Sequence, residues 1–284
     1  CLIFGQNICS PKKFKLFKKE TFFGYPSLKK ILKDTIKNLI SLRRVEIIKD
    51  GYWITDDKST VYFHWFCDAL QKTAYLDLIS NKKLLIPKRF IDKEFIKDSL
   101  ELLNINYQTL RPDTLYLVKS INIIGETAPT GNYNPSTLKQ LQEMFYKKVN
   151  IETKEKKKKL WIMRENDKRS IENSDKIYSL LQEYGFEFIY FEKLSIKEKI
   201  VLLHNCQYLG GVWGSGLTNM IFMLSGSNLI EVRNKNDDQN NAFFSMASAL
   251  NINYYYFVSI FAKDKSSVSI NAREFKLFLE SINI

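Results

Sequence analysis

From Leu160 onward the chain keeps two rhythms of apolar and polar positions. Short apolar runs, LWIM (160–163), FEFIYF (186–191), YLGGVW (208–213), NLIEV (228–232) and YYYFV (254–258), alternate with segments whose apolar residues recur every three or four positions. The runs predict buried strands, and the segments 175–184, 196–205, 217–224 and 242–250 predict helices. Ile177, Leu180, Leu181 and Tyr184 form one helical stripe with Gly185 at its stop, and Ser195 with Glu198 forms a capping-box pattern at the next start. Strands alternating with helices of this length predict a doubly wound α/β domain built on a parallel sheet.

The first 130 residues are less regular. They hold a basic amphipathic stretch (27–42), an extended segment (45–54), a helical pattern (65–79), and LLIP (84–87) followed by a helical pattern at 94–103. A second α/β unit follows from these signals. Between the halves, ETAPTGNYNPS (126–136) carries two prolines, a glycine and small polar residues, the composition of a hinge. The next helix, with Leu138, Leu141, Met144 and Phe145, opens the second half, so the expected domains are 1–132 and 133–284. No internal repeat is visible.

The 284 residues suffice for two domains that each bury a core. Hydrophobic residues at 45% and charged residues at 26% exclude a disordered chain. Forty-three Lys and Arg against 31 acidic residues, a net charge of +12, call for an anionic partner: nucleic acid, an acidic membrane surface or a phosphorylated small molecule. No nucleic-acid reading motif is present, and arginines are few beside lysines, so nucleic acid is not expected. The run at 156–159 reads as a solvated face. The stretch Lys12 to Lys37, interleaved with Phe14, Leu16, Phe17, Phe22 and Phe23, fits an anionic lipid surface and fits an ordinary packing helix equally well. Cysteines at 1, 9, 67 and 206 show no C-x-x-C, and with two histidines no zinc site is expected. A reduced, cytoplasmic protein is expected, peripheral at most on the inner face of a membrane. No apolar run reaches the roughly 18 residues of a membrane span; the start at Cys1 leaves a preceding segment open.

The most distinctive segment is GGVWGSGLTN (210–219), where glycines join an apolar run to a helical one. Glycine permits close approach of backbone to ligand, and a helix start offers N–H groups to an anion. The spacing matches neither G-x-G-x-x-G nor G-x-x-x-x-G-K-[ST], and taken alone the loop fits a tight turn as well as a phosphate cradle. Three blocks together narrow this: Arg164-x-x-x-x-Arg169-x-Ile171-x-Asn173, GGVWGSGLTNMIFM, and Leu229-Ile230-Glu231-Val232. They resemble glycosyltransferase family 61, whose members carry R…R-x-I-x-N, H-G-A-G-L-T-N and a following I-E strand. A fourth block, Tyr62 to Asp68 (YFHWFCD), resembles that family's F-H-W-x-x-D element. The resemblance implies a GT-B architecture, two Rossmann-like domains facing across a cleft, with inverting, metal-independent transfer from a nucleotide sugar. It departs from the family at Trp213, where histidine is usual, and at Ser215, where alanine is usual.

On that reading the loop amides of Gly214, Ser215 and Gly216, the Thr218 hydroxyl, Arg164 and Arg169 would meet a departing diphosphate. If the family's histidine only packs beside the nucleotide, Trp213 would stack there in its place, and if that histidine serves chemistry this chain lacks it; Glu231, at a strand end, would accept ribose hydroxyls. Asn173 and Asn219 read as orienting residues. His64 and Asp68, four apart on a helix, make a candidate base and its partner, with Asp68 preferred as the base. No D-x-D triplet occurs, and Asp56-Asp57 and Asp237-Asp238 lack clamp spacing, so no metal or other cofactor is expected. The expected partners are a nucleotide-sugar donor, UDP-linked in type, and a glycan or lipid-linked acceptor in surface polysaccharide assembly.

Overall fold

A computed structural model describes the chain except for residues 14, 23–26, 80, 152–157, 165–168, 237–240 and 265. It comprises two compact units, Cys1–Pro129 and Thr130–Ile284.

In the first unit seven strands form one sheet: β1 (Leu2–Phe4), β2 (Asn7–Ser10), β3 (Lys15–Leu16), β4 (Arg44–Trp53), β5 (Leu84–Pro87), β6 (Tyr107–Leu110) and β7 (Thr114–Ile123), in the order β3-β2-β1-β7-β4-β5-β6. The β7-β4-β5-β6 part is parallel, with β4 and β7 paired from Arg44↔Thr114 to Trp53↔Ile123; β1, β2 and β3 add an antiparallel margin. Ile3, Ile8, Ile48, Trp53, Leu85, Tyr116 and Val118 pack together in one core cluster. The N-terminal hairpin and β7 go beyond the sequence expectation. Three-residue strands are too short to show a period, and β7 mixes Lys119 and Ser120 into an apolar run.

The helical pattern at 65–79 is two geometries in succession, π at Trp65–Ala69 and 3-10 at Leu70–Ile79, entered through a short α turn at Tyr62–His64. Single π turns inside helices are rare and cluster at functional sites. Here the wide turn seats Trp65, Phe66 and Cys67 fully in the interior, with the Trp65 indole donating to Ser99 Oγ at 2.8 Å.

The second unit holds β8 (Lys158–Ile162), β9 (Ser170–Ile171), β10 (Phe186–Ile189), β11 (Cys206–Val212), β12 (Asn228–Asn234), β13 (Asn253–Phe261) and β14 (Ser267–Ser269), in the order β10-β8-β11-β12-β13-β14-β9. The five strands β10-β8-β11-β12-β13 are parallel. Taken in chain order they run 2-1-3-4-5, a doubly wound order whose switch point falls between β8 and β11. Gly210 and Gly211 allow this pair to close up: a Cβ on Gly210 would lie 2.5 Å from the Trp161 ring, and one on Gly211 3.1 Å from Ile162.

Helices Ser174–Glu183, Ile196–His204 and Ala242–Leu250 lie where the periodicity predicts, and the Ser195–Glu198 capping box is formed. The helix expected at 217–224 is instead a 3-10 helix at Ser215–Phe222. Leu217 to Phe222 are all buried, and the tighter winding lets a segment hydrophobic on every side lie inside the unit. Helix Pro135–Tyr146 starts at an Asn134 cap and is tied to this segment, Gln142 donating to Ile221 O and Met223 O and Tyr146 to Phe222 O. It therefore belongs to the second unit. The run at 156–159 is corrected in part: Lys158 and Lys159 open β8, one pairing with Glu187 and the other donating to Tyr184 O. Residues 156 and 157, Phe14, Phe23, Asp237 and Asp238 lie outside the described residues. β9, β14 and the terminal helix Ala272–Ser281 were not expected from the sequence. That helix closes the core with Phe275 against Trp161 and Phe257.

Candidate functional site

At the switch point of a parallel sheet the connections that follow two adjacent strands run to opposite faces and leave a crevice at the strands' carboxyl ends. In the second unit Met163 and Arg164 follow β8 there, and Trp213 to Gly216 follow β11. Arg164 Nη2 donates to Trp213 O at 3.3 Å, and Arg169 Nη1 donates to the same carbonyl at 2.9 Å. The Arg169 guanidinium also lies over the Trp213 ring, 4.3 Å from its centroid. The Trp213 carbonyl thus seats both arginines, and its ring seats Arg169.

Gly214 is the one loop glycine whose conformation the site demands. Its φ is +149°, and a Cβ there would lie 2.1 Å from Arg164 Nη2 and 2.1 Å from Arg169 Nη1. Gly216 serves packing, since its Cβ would press on Ile162 at 3.1 Å. Arg169 is itself left-handed, with φ +67°, a strained conformation for a side chain of its size. Its amide and that of Ser170 both donate to Ser266 O, so the residue just before β14 holds the strained residue in place.

The arginines border a cavity of about 270 Å³ that is also lined by Ser170, Ser174, Tyr178 and Tyr190. Burial, then the neighbouring Arg169 charge, push Arg164 down to about 10, against a smaller upward pull from Glu192; burial also lowers Arg169. Neither guanidinium forms an ion pair within 4 Å to an acid among the described residues. Two cations held together and partly desolvated favour an anionic guest with several acceptor oxygens. Ser174 and the tyrosines were not read from the sequence. Their only signal was the R-x-I-x-N spacing, which places the following helix start beside Arg169.

The other predicted donor residues are placed differently. Thr218 is fully buried within the 3-10 helix, and its hydroxyl has no hydrogen-bond partner among the described residues. Asn219 is buried and donates to Gly216 O at 2.8 Å, bracing the turn. Asn173 does not cap its helix; its amide bridges to the backbone of Ile270 through both side-chain atoms, at 2.7 and 3.2 Å. Ser215 opens the 3-10 helix and is half-buried. Glu231 is not at a strand end: β12 continues to Asn234, and Glu231 is buried beside Gly211, accepting from the Tyr254 hydroxyl at 2.6 Å. Burial first, and then the Glu231 charge, push the Tyr254 phenol up, which keeps it a donor to that carboxylate.

In the first unit His64 Nδ1 and Asp68 Oδ2 are 2.6 Å apart across the π turn, both partly open to solvent. One turn on, Lys72 is buried and donates to Ile54 O at 3.0 Å. Burial lowers its pKa, opposed by Asp56, Asp68, Glu126 and Glu20. Lys72 therefore brings a positive charge to the Asp68 side of the pair, a neighbour the sequence reading missed. Among the described residues no group of three or more His, Cys, Asp or Glu could hold a metal ion, and no helix is long and apolar enough to cross a membrane.

No curated protein matches the chain. The family model described as Glycosyltransferase 61 matches residues 62–230, more than half of the chain. Its span runs from the turn that carries His64 and Asp68 through both arginines and the glycine loop into β12. The chain belongs to the glycosyltransferase 61 family.

Proposed function

We propose that the protein is an inverting, metal-independent GT-B glycosyltransferase that takes its sugar from a nucleoside diphosphate donor, UDP-linked in the first instance. The acceptor is a glycan or a lipid-linked glycan of surface polysaccharide assembly, on the cytoplasmic side of the membrane. The observation that carries this reading is the convergence of Arg164 and Arg169 on the Trp213 carbonyl, against Gly214, at the switch point of the sheet.

As the bond from the anomeric carbon to the diphosphate oxygen breaks, the electron pair leaves with the diphosphate, and the arginines stabilise the charge that develops. In a reaction without metal they would supply the positive charge that a divalent cation otherwise brings. The acceptor oxygen bonds to the anomeric carbon from the opposite face, and its proton passes to Asp68, oriented by His64. The cavity beside Arg169 offers tyrosine hydroxyls and serines for the parts of the donor beyond its phosphates.

A second reading rests on Trp213. It stands where the family usually has histidine, and its ring is engaged by Arg169. A protein that binds nucleotide sugars without transferring them is consistent with that substitution. Calorimetric titration with UDP and other nucleoside diphosphates tests the site, and release of UDP from candidate nucleotide sugars, with and without glycan acceptors, separates the two readings. Absence of nucleoside diphosphate binding would overturn both.

A further inference from the structure

The positive charge of the chain is concentrated at one end. Residues 1–44 hold eleven lysines and arginines and only two acids, Glu20 and Asp34, and so carry nine of the twelve net positive charges. Within this segment helix Leu28–Ser41 leaves three large apolar side chains in solvent at successive i, i+4 positions: Leu32 at 60%, Ile36 at 55% and Ile40 at 73% exposure. Lys29, Lys33 and Lys37, all exposed, form the neighbouring i, i+4 row. Val45 and Ile47, at the start of β4 just beyond the helix, are exposed as well. Lys30 reaches Asp57 and so fastens the helix to the chain that leads into the His64–Asp68 turn.

An ordinary packing helix turns its apolar row inward and its lysines out. Here an apolar row and a cationic row face solvent side by side, the pattern of a helix lying in a membrane interface, where apolar side chains enter the acyl boundary and ammonium groups meet anionic headgroups. A second copy of the chain is a poor occupant, because apposing two such faces brings lysine rows together.

We propose that helix Leu28–Ser41 docks in the plane of an anionic phospholipid bilayer, with Leu32, Ile36 and Ile40 inserted and Lys29, Lys33 and Lys37 on the headgroups. The inference uses no part of the donor site. It stands or falls separately from sugar transfer.

The test is co-sedimentation of the whole chain with vesicles of phosphatidylcholine alone and of phosphatidylcholine containing phosphatidylglycerol. Binding to the anionic vesicles, weakened by salt, is expected. The triple variant Leu32→Ser, Ile36→Ser, Ile40→Ser and the triple variant Lys29→Gln, Lys33→Gln, Lys37→Gln should each lower partitioning about tenfold or more. Because all six side chains are exposed, both variants should keep the wild-type circular dichroism spectrum and melting temperature. The proposal is overturned by equal binding to neutral and anionic vesicles, by no binding to either, or by wild-type binding in both variants. It is overturned too if light scattering shows a dimer that the serine variant dissolves, since the row would then be a contact between copies.

Discussion

Arg164 occupies a position that resists its own charge, and this separates binding from stability at one residue. Arg164→Met removes a partly desolvated cation beside a second cation, so stability in urea titration should hold or rise while nucleoside diphosphate affinity falls. A loss of stability with intact binding would make it a structural arginine. Arg169→Ala should weaken UDP binding by roughly 1.5–3 kcal/mol, the scale of a hydrogen bond to a charged group, read by calorimetry. Asp68→Asn should leave UDP affinity near wild type and lower the transfer rate about a hundredfold or more; wild-type turnover in a folded variant would remove Asp68 as the base. Lys72 supplies a pH test. Its folded pKa lies below 10.5, so between the two values the unfolded chain binds more protons, and stability rises with pH across that window. Urea titrations at neutral pH and near 10.5 should show wild type gaining on Lys72→Met, and a constant difference would mean that Lys72 is not titrating from a buried site.

At the scale of elements, the loop after β11 divides its glycines between two tasks. Gly210 and Gly211 let β11 approach β8, whereas Gly214 lets a carbonyl gather two guanidinium groups. Gly210→Ala should therefore lower the melting temperature markedly, because the Trp161 ring against it is fixed in the aromatic core. Gly214→Ala should abolish nucleotide binding before it unfolds the unit, since the atoms it meets are the ends of arginine side chains, although its φ adds strain. Calorimetry and thermal denaturation of the two variants should show these opposite rankings. The loop was legible in the sequence as a strand, glycines and a helical segment. Which glycine meets the arginines was not, because it depends on Trp161, Ile162 and the arginines crossing from other elements.

For the whole molecule, transfer is expected to survive chelation: with EDTA present the rate should stay within about twofold of the untreated rate, because guanidinium groups supply the charge that a cation would bring. Loss of transfer restored by magnesium or manganese would show that acids not read as ligands act as a metal site.

What the sequence determined by itself is the set of long, strongly periodic elements and the residue types brought to one chemistry. β8, β10, β11, β12 and β13, three of the four helices between them, the Ser195 cap and the Arg-Arg-glycine blocks follow from local pattern, because side-chain period and capping are properties of neighbouring residues. The tertiary structure alone decided the strand order that makes β8 and β11 adjacent, and with it the crevice. It decided that Glu231 lies inside β12 bonded to Tyr254, that Asn173 holds the backbone of Ile270, and that Thr218 is enclosed. It also decided that the helical pattern around His64 contains a π turn. The reason is common to these cases: the deciding partner lies tens of residues away in the chain, and a local pattern carries no record of what packs against it.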